Sequence, residues 1–286
     1  IYYIAPQEWH WGSKKGGKKV IQITDLLLAI FPKEADFYSR LGGQVVYKGH
    51  PVVDTSAPKQ EKAAFYRDIK REEGVKILSI FPGSRQQEIK YTAPILFEAA
   101  KKIMSEKPNI LCVISCVTPT FKKELHELAK SYQLEDAIFF EEDSRRLIKE
   151  SYFSLTCSGT ITLEHAILGT PCCVAYKFSW LSYKIASWIM KRRLGKIPYM
   201  ALPNLIEDRQ WQDEFLQDKA QPEAIAERAL ECMNNTKLYS KYIEQCAVFK
   251  KKMGAGNVLS QLAEAVIEFV NHEKNVGTVT ERKNSN

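Results

Sequence analysis

Short apolar runs alternate with longer amphipathic stretches along most of this chain. Runs rich in β-branched and aromatic residues predict buried strands, whereas apolar residues spaced three or four positions apart predict helices. Because strands that alternate with helices favour βαβ units, the pattern indicates an α/β fold with a parallel sheet. The predicted strands are 2–4, 20–23, 28–31, 44–47, 76–81, 110–117, 137–140, 153–156 and 172–176.

Helical patterns fill the intervals between the later strands and almost all of the chain after residue 178. Apolar positions there recur with the period of an amphipathic helix rather than with the alternation of a strand. The predicted helices are 90–106, 120–132, 143–150, 160–168, 180–193, 208–217, 222–234, 236–251 and 256–271.

A polar stretch at 54–62, which contains Pro58, interrupts this pattern and is typical of a linker. We therefore predict the C-terminal part of a first α/β domain at 1–58 and a complete second domain at 59–250. A C-terminal helix and a disordered tail are predicted at 251–286. Because the first residues already have the pattern of a strand interior, we expect the chain to be a fragment that starts inside its first domain.

The charge balance and the cysteines limit the classes of function that fit this sequence. The 286 residues include 41 Lys and Arg against 34 Asp and Glu, a net charge of +7 that fits an anionic partner such as nucleic acid, a nucleotide or a phospholipid. The seven Cys and five His lack zinc-ligand spacing, and neither a G-x-x-x-x-G-K-[ST] nor a G-x-G-x-x-G motif occurs. We predict reduced thiols in a cytoplasmic protein, with no metal and no cofactor.

The stretch from Thr156 to Glu164 has the pattern of a strand, a turn of small residues and the start of a helix. Ser158 can cap that helix, and Gly159 lets a ligand approach the backbone. Free N–H groups at a helix start bind phosphate, and Glu164 could accept ribose hydroxyls. An ordinary capped helix with a surface glutamate is the alternative.

A second loop, 81–89, also follows a predicted strand and contains Ser84, Arg85 and Glu88. Arg85 there could bind a diphosphate, because ligands of open α/β sheets lie at the carboxyl ends of strands. A surface ion pair between Arg85 and Glu88 is the alternative. The stretch 201–209, with 215–217, could form a pocket wall, or Asn204 could merely cap a helix.

Six motifs resemble, in the same order, the signatures of bacterial lipid-A-disaccharide synthases. The resemblance runs from Ile1 to about Gln217, and beyond that only the helical pattern agrees. The motifs are YYIAPQEWHW at 2–11, LAIFPKEA at 28–35, YKGHPVVD at 47–54, PGSRQQEI at 82–89, SGTITLE at 158–164 and LPNLI at 202–206.

This resemblance implies a glycosyltransferase B fold of two Rossmann-like domains, the first incomplete here, with C-terminal helices. It implies inverting transfer of 2,3-diacylglucosamine from UDP-2,3-diacylglucosamine to 2,3-diacylglucosamine 1-phosphate. Arg85 would be catalytic, and the general base is expected upstream of Ile1. The residues implied to bind substrate are Gln7, Trp9, Ser84, Arg85, Glu88, Ser158, Gly159, Thr160, Glu164, Asn204, Arg209 and Gln217.

Residues 179–196 contain five Lys and Arg and no acid, interspersed with Trp180, Trp188 and aliphatic residues. Basic residues with interfacial Trp are typical of a helix that lies in the headgroup layer, although burial of this helix is an alternative. We expect peripheral binding to the anionic cytoplasmic face of the inner membrane, and no nucleic acid.

Two other functions remain open. One is an enzyme like UDP-N-acetylglucosamine 2-epimerase, which would need no acylated substrate. The other is a non-catalytic module that binds UDP or lipid. The sequence does not determine the oligomeric state, and a homodimer is one alternative.

Overall fold

The computed structural model describes residues 2–4, 8–9, 12–56, 62–177, 179, 184, 188, 191–192 and 199–283. The chain divides into two compact units: Ile1–Asp54 together with Lys251–Asn286, and Thr55–Lys250. We predicted 251–286 as a part of its own and a first boundary after residue 58. Both points are corrected, because the C-terminal segment belongs to the first unit and the division falls between Asp54 and Thr55.

The first unit contains a parallel sheet in the order β1-β2-β3. Leu26, Leu28 and the partly buried Val46 of this sheet pack against Val258 and Leu262 of the last helix, α13. Its elements are β1 (Tyr2–Ile4), α1 (Lys14–Ile23), β2 (Leu26–Ala29), α2 (Pro32–Arg40), β3 (Val45–Tyr47), α3 (Val52–Thr55) and α13 (Val258–Lys283). The helix α13 continues to Lys283, where we had predicted a disordered tail.

The prediction of a strand at 20–23 is wrong, because these residues form the last turn of α1. Ser13 caps that helix by accepting a hydrogen bond from the Gly16 N–H (3.1 Å). Val20 is buried whereas Ile23 is 55% exposed, which is the one-sided burial of an amphipathic helix.

The second unit contains a parallel sheet in the order β6-β5-β4-β7-β8-β9. The chain moves outward from β4 through β5 to β6 and then crosses to the other side of β4 with β7. Its strands are β4 (Ile77–Phe81), β5 (Leu111–Ser115), β6 (Ile138–Phe140), β7 (Phe153–Cys157), β8 (Cys172–Tyr176) and β9 (Asp213–Leu216). The order therefore reverses between β4 and β7, which is where open α/β sheets bind ligands.

Helices cover both faces of this sheet. Leu78, Ile80 and Leu155 share a core with residues of α6 and α11, and Ile77 and Phe81 share another with α4 and α8. The helices are α4 (Lys62–Asp68), α5 (Gln86–Tyr91), α6 (Ala93–Glu106), α7 (Lys122–Ser131), α8 (Ser144–Glu150), α9 (Thr160–Leu168), α10 (Leu202–Glu207), α11 (Pro222–Asn234) and α12 (Thr236–Met253).

The prediction of a helix at 208–217 is also wrong, since most of that stretch is the turn before β9 and β9 itself. The strand pairs in parallel with β8, from Cys173 opposite Asp213 to Tyr176 opposite Leu216. Glu214 of β9 is buried because its carboxylate accepts hydrogen bonds from the N–H groups of Met200 (2.7 Å) and Ala201 (3.0 Å). Tertiary hydrogen bonding thus overrides the local pattern.

Candidate functional site

A cavity of about 280 Å³ lies at the carboxyl ends of β4, β5 and β7, at the point where the strand order reverses. All of its lining residues belong to the second unit. Two loops that the sequence analysis singled out, after β4 and after β7, meet there. The predicted site residues that line the cavity are Ser84, Arg85, Glu88, Ser158, Gly159, Thr160 and Glu164.

The loop after β4 is shaped by Glu88. Its Oε2 accepts hydrogen bonds from the N–H groups of Ser84 (2.8 Å) and Arg85 (3.2 Å). Gly83 has φ +113, and a Cβ there would lie 2.4 Å from the Glu88 Cβ. Only glycine therefore fits beneath this carboxylate. The Arg85 side chain is 79% exposed, with one guanidinium nitrogen 3.5 Å from Glu88 Oε1, so most of its donors remain available at the cavity.

The turn after β7 presents the start of α9 to the cavity. Gly159 precedes the helix with φ +154, a conformation that side chains rarely adopt. The first N–H groups of any helix lack intrahelical partners, and together with the helix dipole they favour an anion. The N-terminus of α9 therefore provides the cavity with anion-binding donors.

Ser158 has a different role from the one expected. Its Oγ donates to the Met200 carbonyl (2.6 Å), and its N–H donates to the Ala175 carbonyl (3.2 Å). Gly159, rather than Ser158, is the N-cap residue of α9. Ser158 thus fastens the turn to the segment that precedes α10, and the prediction that its side chain caps α9 is corrected.

Glu164 lies at the cavity wall, one turn into α9. Burial raises its pKa above the ordinary value for a glutamate, and the nearby Arg145 guanidinium offsets part of that rise. Arg145 is held in place by two contacts to Asp143 (2.7 and 2.8 Å) and by the Thr55 carbonyl (2.6 Å). The arrangement gives Glu164 a cationic neighbour that favours its ionised, hydrogen-bond-accepting form.

The loop after β5 supplies a third wall that sequence reasoning missed. Val117 is 47% exposed at this wall, beside the partly buried Phe121. Burial raises the pKa of the neighbouring Cys116, so its thiol stays protonated at neutral pH. The lining residues that were not predicted here include Ser115, Cys116, Val117, Thr118, Phe121, Leu125 and Ser144. Their residue types carry no signal, and only the strand order β6-β5-β4 places the segments after β5 and β6 at the site.

Three predicted substrate-binding residues do not line this cavity. Asn204 is fully buried, and its side chain bonds the backbone of Trp211 and Gln212 and the Glu214 carboxylate. Arg209 is exposed and pairs with Glu207 (2.6 Å). Gln217 is buried at the end of β9. Asn204 is therefore a scaffold residue, because its amide is already occupied, and this corrects its prediction as a pocket residue.

Of the two candidates from the first unit, only Trp9 belongs to the described residues, and it is not among those that line the cavity. Trp9 is partly buried and packs on Phe31, with ring centroids 5.7 Å apart, in a cluster with Val20, Leu27 and Tyr38. Gln7 lies outside the described residues.

Two of the solved structures that match this chain in fold contain a bound nucleotide or nucleotide sugar. The S. aureus MnaA–UDP co-structure matches with a TM-score of 0.58 at 16% identity, over 88% of this chain and 61% of that one. UDP-GlcNAc 2-epimerase from Neisseria meningitidis bound to UDP-GlcNAc matches with a TM-score of 0.52 at 15% identity, over 94% and 76%. The sheet topology and these likenesses define an α/β protein of the glycosyltransferase B fold, as predicted.

Sequence comparison gives the family. The family model described as lipid-A-disaccharide synthetase matches residues 1–267. Lipid-A-disaccharide synthases from Synechocystis sp. and Persephonella marina are 31% and 32% identical, over 96% and 94% of this chain and 69% and 71% of their own. The chain belongs to the lipid-A-disaccharide synthetase family, glycosyltransferases of lipid A biosynthesis, and the resemblance seen in its motifs is confirmed. It spans about seven-tenths of the length of these relatives.

Proposed function

We propose that the cavity binds the UDP part of a UDP-sugar donor. The observation that carries this proposal is the convergence of Arg85 and the N-terminus of α9 on one cavity, with Glu164 at its wall. The diphosphate would lie between the Arg85 guanidinium and the N–H groups after Gly159, and Glu164 would accept the ribose hydroxyls. The apolar wall of Val117 and Phe121 suits the flat face of the base.

The reaction proposed for the whole protein is transfer of 2,3-diacylglucosamine from UDP to 2,3-diacylglucosamine 1-phosphate, with inversion at the anomeric carbon. As the sugar–phosphate bond breaks, negative charge develops on the departing UDP. Arg85 and the dipole of α9 would stabilise that charge at the place where it develops. A carboxylate must also take the proton of the attacking hydroxyl.

A thermal-shift titration with UDP tests the nucleotide site. We expect Arg85→Ala and Glu164→Ala each to weaken UDP binding about ten- to hundredfold, because each loses a hydrogen bond that involves a charged group, worth roughly 1.5–3 kcal/mol. Arg209→Ala is the matched control, since this arginine is exposed, pairs with Glu207 and does not line the cavity. Equal shifts in the wild type and both cavity variants at subsaturating UDP would contradict the assignment.

The choice of acylated substrates needs a separate test, because an epimerase or a non-catalytic module of this fold would also bind UDP. In full-length protein, turnover that requires the acyl chains of both donor and acceptor supports the synthase. Conversion of unacylated UDP-N-acetylglucosamine favours the epimerase, and UDP binding without any turnover favours the module.

We also propose that residues 179–196 contact an anionic membrane surface from the cytoplasmic side. Four of the five described side chains of this segment, Lys184, Trp188, Lys191 and Arg192, are exposed, Trp188 to 62%, whereas Ser179 is partly buried. The Arg192 guanidinium lies over the Trp188 ring, 5.5 Å from its centroid. The other residues of the helix predicted at 180–193 lie outside the described ones. Within the described part of the chain, no helix is long and apolar enough to cross a bilayer.

Changing Lys191, Arg192 and Arg193 together to Glu tests this contact. We expect the variant to lose co-sedimentation with anionic vesicles, because each basic residue near such a surface contributes about 1 kcal/mol, while UDP binding stays intact. A variant that sediments like the wild type would mean that this segment does not carry membrane binding.

A further inference from the structure

One surface of the first unit is not used by the proposed nucleotide site. It consists of Lys14, Lys15, Lys18 and Lys19, all exposed on α1, and we call it the α1 basic face. At about 100° per residue these four lysines fall within an arc of about 140°. Gln22 and Ile23 are exposed on the same side, whereas Gly17 and Val20 are buried on the other.

The amino-acid sequence of α1 is unfavourable for the stability of this helix. Lys14 and Lys15 lie in the first turn, where a positive charge is repelled by the helix dipole. Lys14 with Lys18, and Lys15 with Lys19, are like-charge pairs at i and i+4, which destabilise a helix. The sequence KKGGKKVIQI also contains two glycines and no acid. An element that breaks several local rules at once is expected where those residues serve binding.

Within the described part of the chain, none of these four lysines forms an ion pair with an acidic side chain. Glu8 accepts a hydrogen bond from the Tyr38 hydroxyl (3.2 Å), and that tyrosine belongs to α2. An anionic surface outside the protein would remove both penalties, since it offsets the repulsion between the lysines and interacts favourably with the start of the helix.

We propose that the α1 basic face docks the first unit onto an anionic phospholipid bilayer. Four lysines and no arginine suit a diffuse negative surface, because lysine acts as a hydrated point charge whereas arginine is favoured for bidentate recognition of one phosphate. The lysines spread along a helix of ten residues, about 15 Å long, rather than converging on one point. Ile23, 55% exposed at the edge of the face, adds the apolar contact typical of interfacial helices.

The contact is distinct from the one proposed for residues 179–196, which belong to the second unit, and it does not depend on the nucleotide site. Co-sedimentation of the full chain with phosphatidylcholine vesicles, with and without phosphatidylglycerol, measures it at low and high salt. The variant changes Lys14, Lys15, Lys18 and Lys19 to Gln. The matched control changes Lys237, Lys241, Lys250 and Lys251 to Gln, which removes the same charge from exposed positions of α12.

We expect the α1 variant to lose about two to three orders of magnitude in partitioning onto anionic vesicles, and the α12 control to bind like the wild type. Replacing the same four α1 lysines with Arg retains binding, because the charge is kept. The pairs K14Q/K15Q and K18Q/K19Q each lose about thirtyfold, which tests the proposal even if the fourfold variant does not fold. The thermal shift with UDP stays at the wild-type value in these variants, since the cavity lies in the second unit.

Three results would overturn the proposal. One is wild-type binding by both pair variants. Another is an equal loss in the α12 control, which would mean that only net charge matters. The third is binding of the wild type to neutral vesicles that salt does not weaken. If UDP did not bind at the cavity, these outcomes would not change. The two proposals are therefore tested independently of each other.

Discussion

At the scale of single residues, Glu34 and Glu88 perform the same task in the two units. Each lies in the first turn of a helix that follows a strand, and each carboxylate accepts two backbone N–H groups of its own loop. Glu34 Oε2 accepts from Ile30 (2.7 Å) and Phe31 (3.2 Å), as Glu88 does from its own loop. Each carboxylate therefore holds the turn between a strand and the helix that follows it.

Glu34 makes stability depend on pH. Burial raises the pKa of this fully buried carboxyl from 4.5 to about 7, although the two N–H groups oppose the rise. Between these values the folded chain holds a proton that the unfolded chain has lost. The resulting contribution is therefore fully present below pH 4.5 and is lost as the pH rises through about 7. It amounts to about 3 kcal/mol.

Glu34→Gln isolates this effect, because the amide oxygen can still accept both N–H groups but does not titrate. We expect the free energy of unfolding of the wild type, relative to the variant, to fall by up to about 3 kcal/mol between about pH 5 and about pH 8. Urea denaturation across that range measures it. A difference that does not change with pH would show that Glu34 has the same protonation state in the folded and unfolded chains.

At the scale of elements, the strands of the second unit follow from their apolar runs, because a strand buried on both faces reads as a continuous apolar segment. The two errors have a common cause. The apolar run at 20–23 is compatible with either a strand or the end of a helix. β9 is a short edge strand that follows a polar stretch, so its sequence lacks the continuous apolar run of a buried strand. Contacts distant in sequence decided both: Gly17 packs closely on Phe37 and Leu41, and β9 pairs with β8.

The loop after β4 allows a test of one element. In Gly83→Ala the new Cβ would lie 2.4 Å from the Glu88 Cβ, so the helix start or the loop must move. We expect weaker UDP binding, because Arg85 moves with the loop. Gly74→Ala is the matched control, since Gly74 also has a positive φ (+93) but a Cβ there meets nothing within 4 Å.

Both variants carry the backbone strain of a non-glycine residue at positive φ, about 1 kcal/mol or more. A thermal-shift titration with UDP then separates stability from binding. Equal UDP affinities in the two variants would mean that the Glu88 contact does not position the loop for the nucleotide.

At the scale of the whole molecule, the sequence located two of the three walls of the cavity. The loops after β4 and β7 were predicted because Gly, Ser and Arg follow strands there, and those residue types have a mechanism for binding phosphate. The wall after β5 required the strand order, which places β5 beside β4. Asn204 was misassigned because a buried amide that satisfies backbone groups and a pocket amide look alike in sequence.

The order of the strands does not determine which of the two units the last helix, α13, packs against. Val258 and Leu262 of α13 are buried against Leu26 and Leu28 of β2, more than two hundred residues earlier in the chain. The first unit therefore depends on a segment that the chain reaches only after completing the second unit. We expect damage to α13 to destabilise the first unit while leaving the nucleotide cavity intact.

Leu262→Asp tests this dependence. It places an unpaired carboxylate in the apolar contact with the sheet, which costs several kcal/mol, more than a small unit can tolerate. Leu259→Asp is the matched control, since Leu259 is 50% exposed on the same helix.

Hydrogen exchange should show loss of protection at Leu26–Ala29 and Val45–Tyr47 in Leu262→Asp only. The UDP-dependent thermal shift should persist in both variants, because every cavity residue lies in Thr55–Lys250. Undiminished protection of β2 and β3 in Leu262→Asp would mean that the sheet of the first unit is stable without α13.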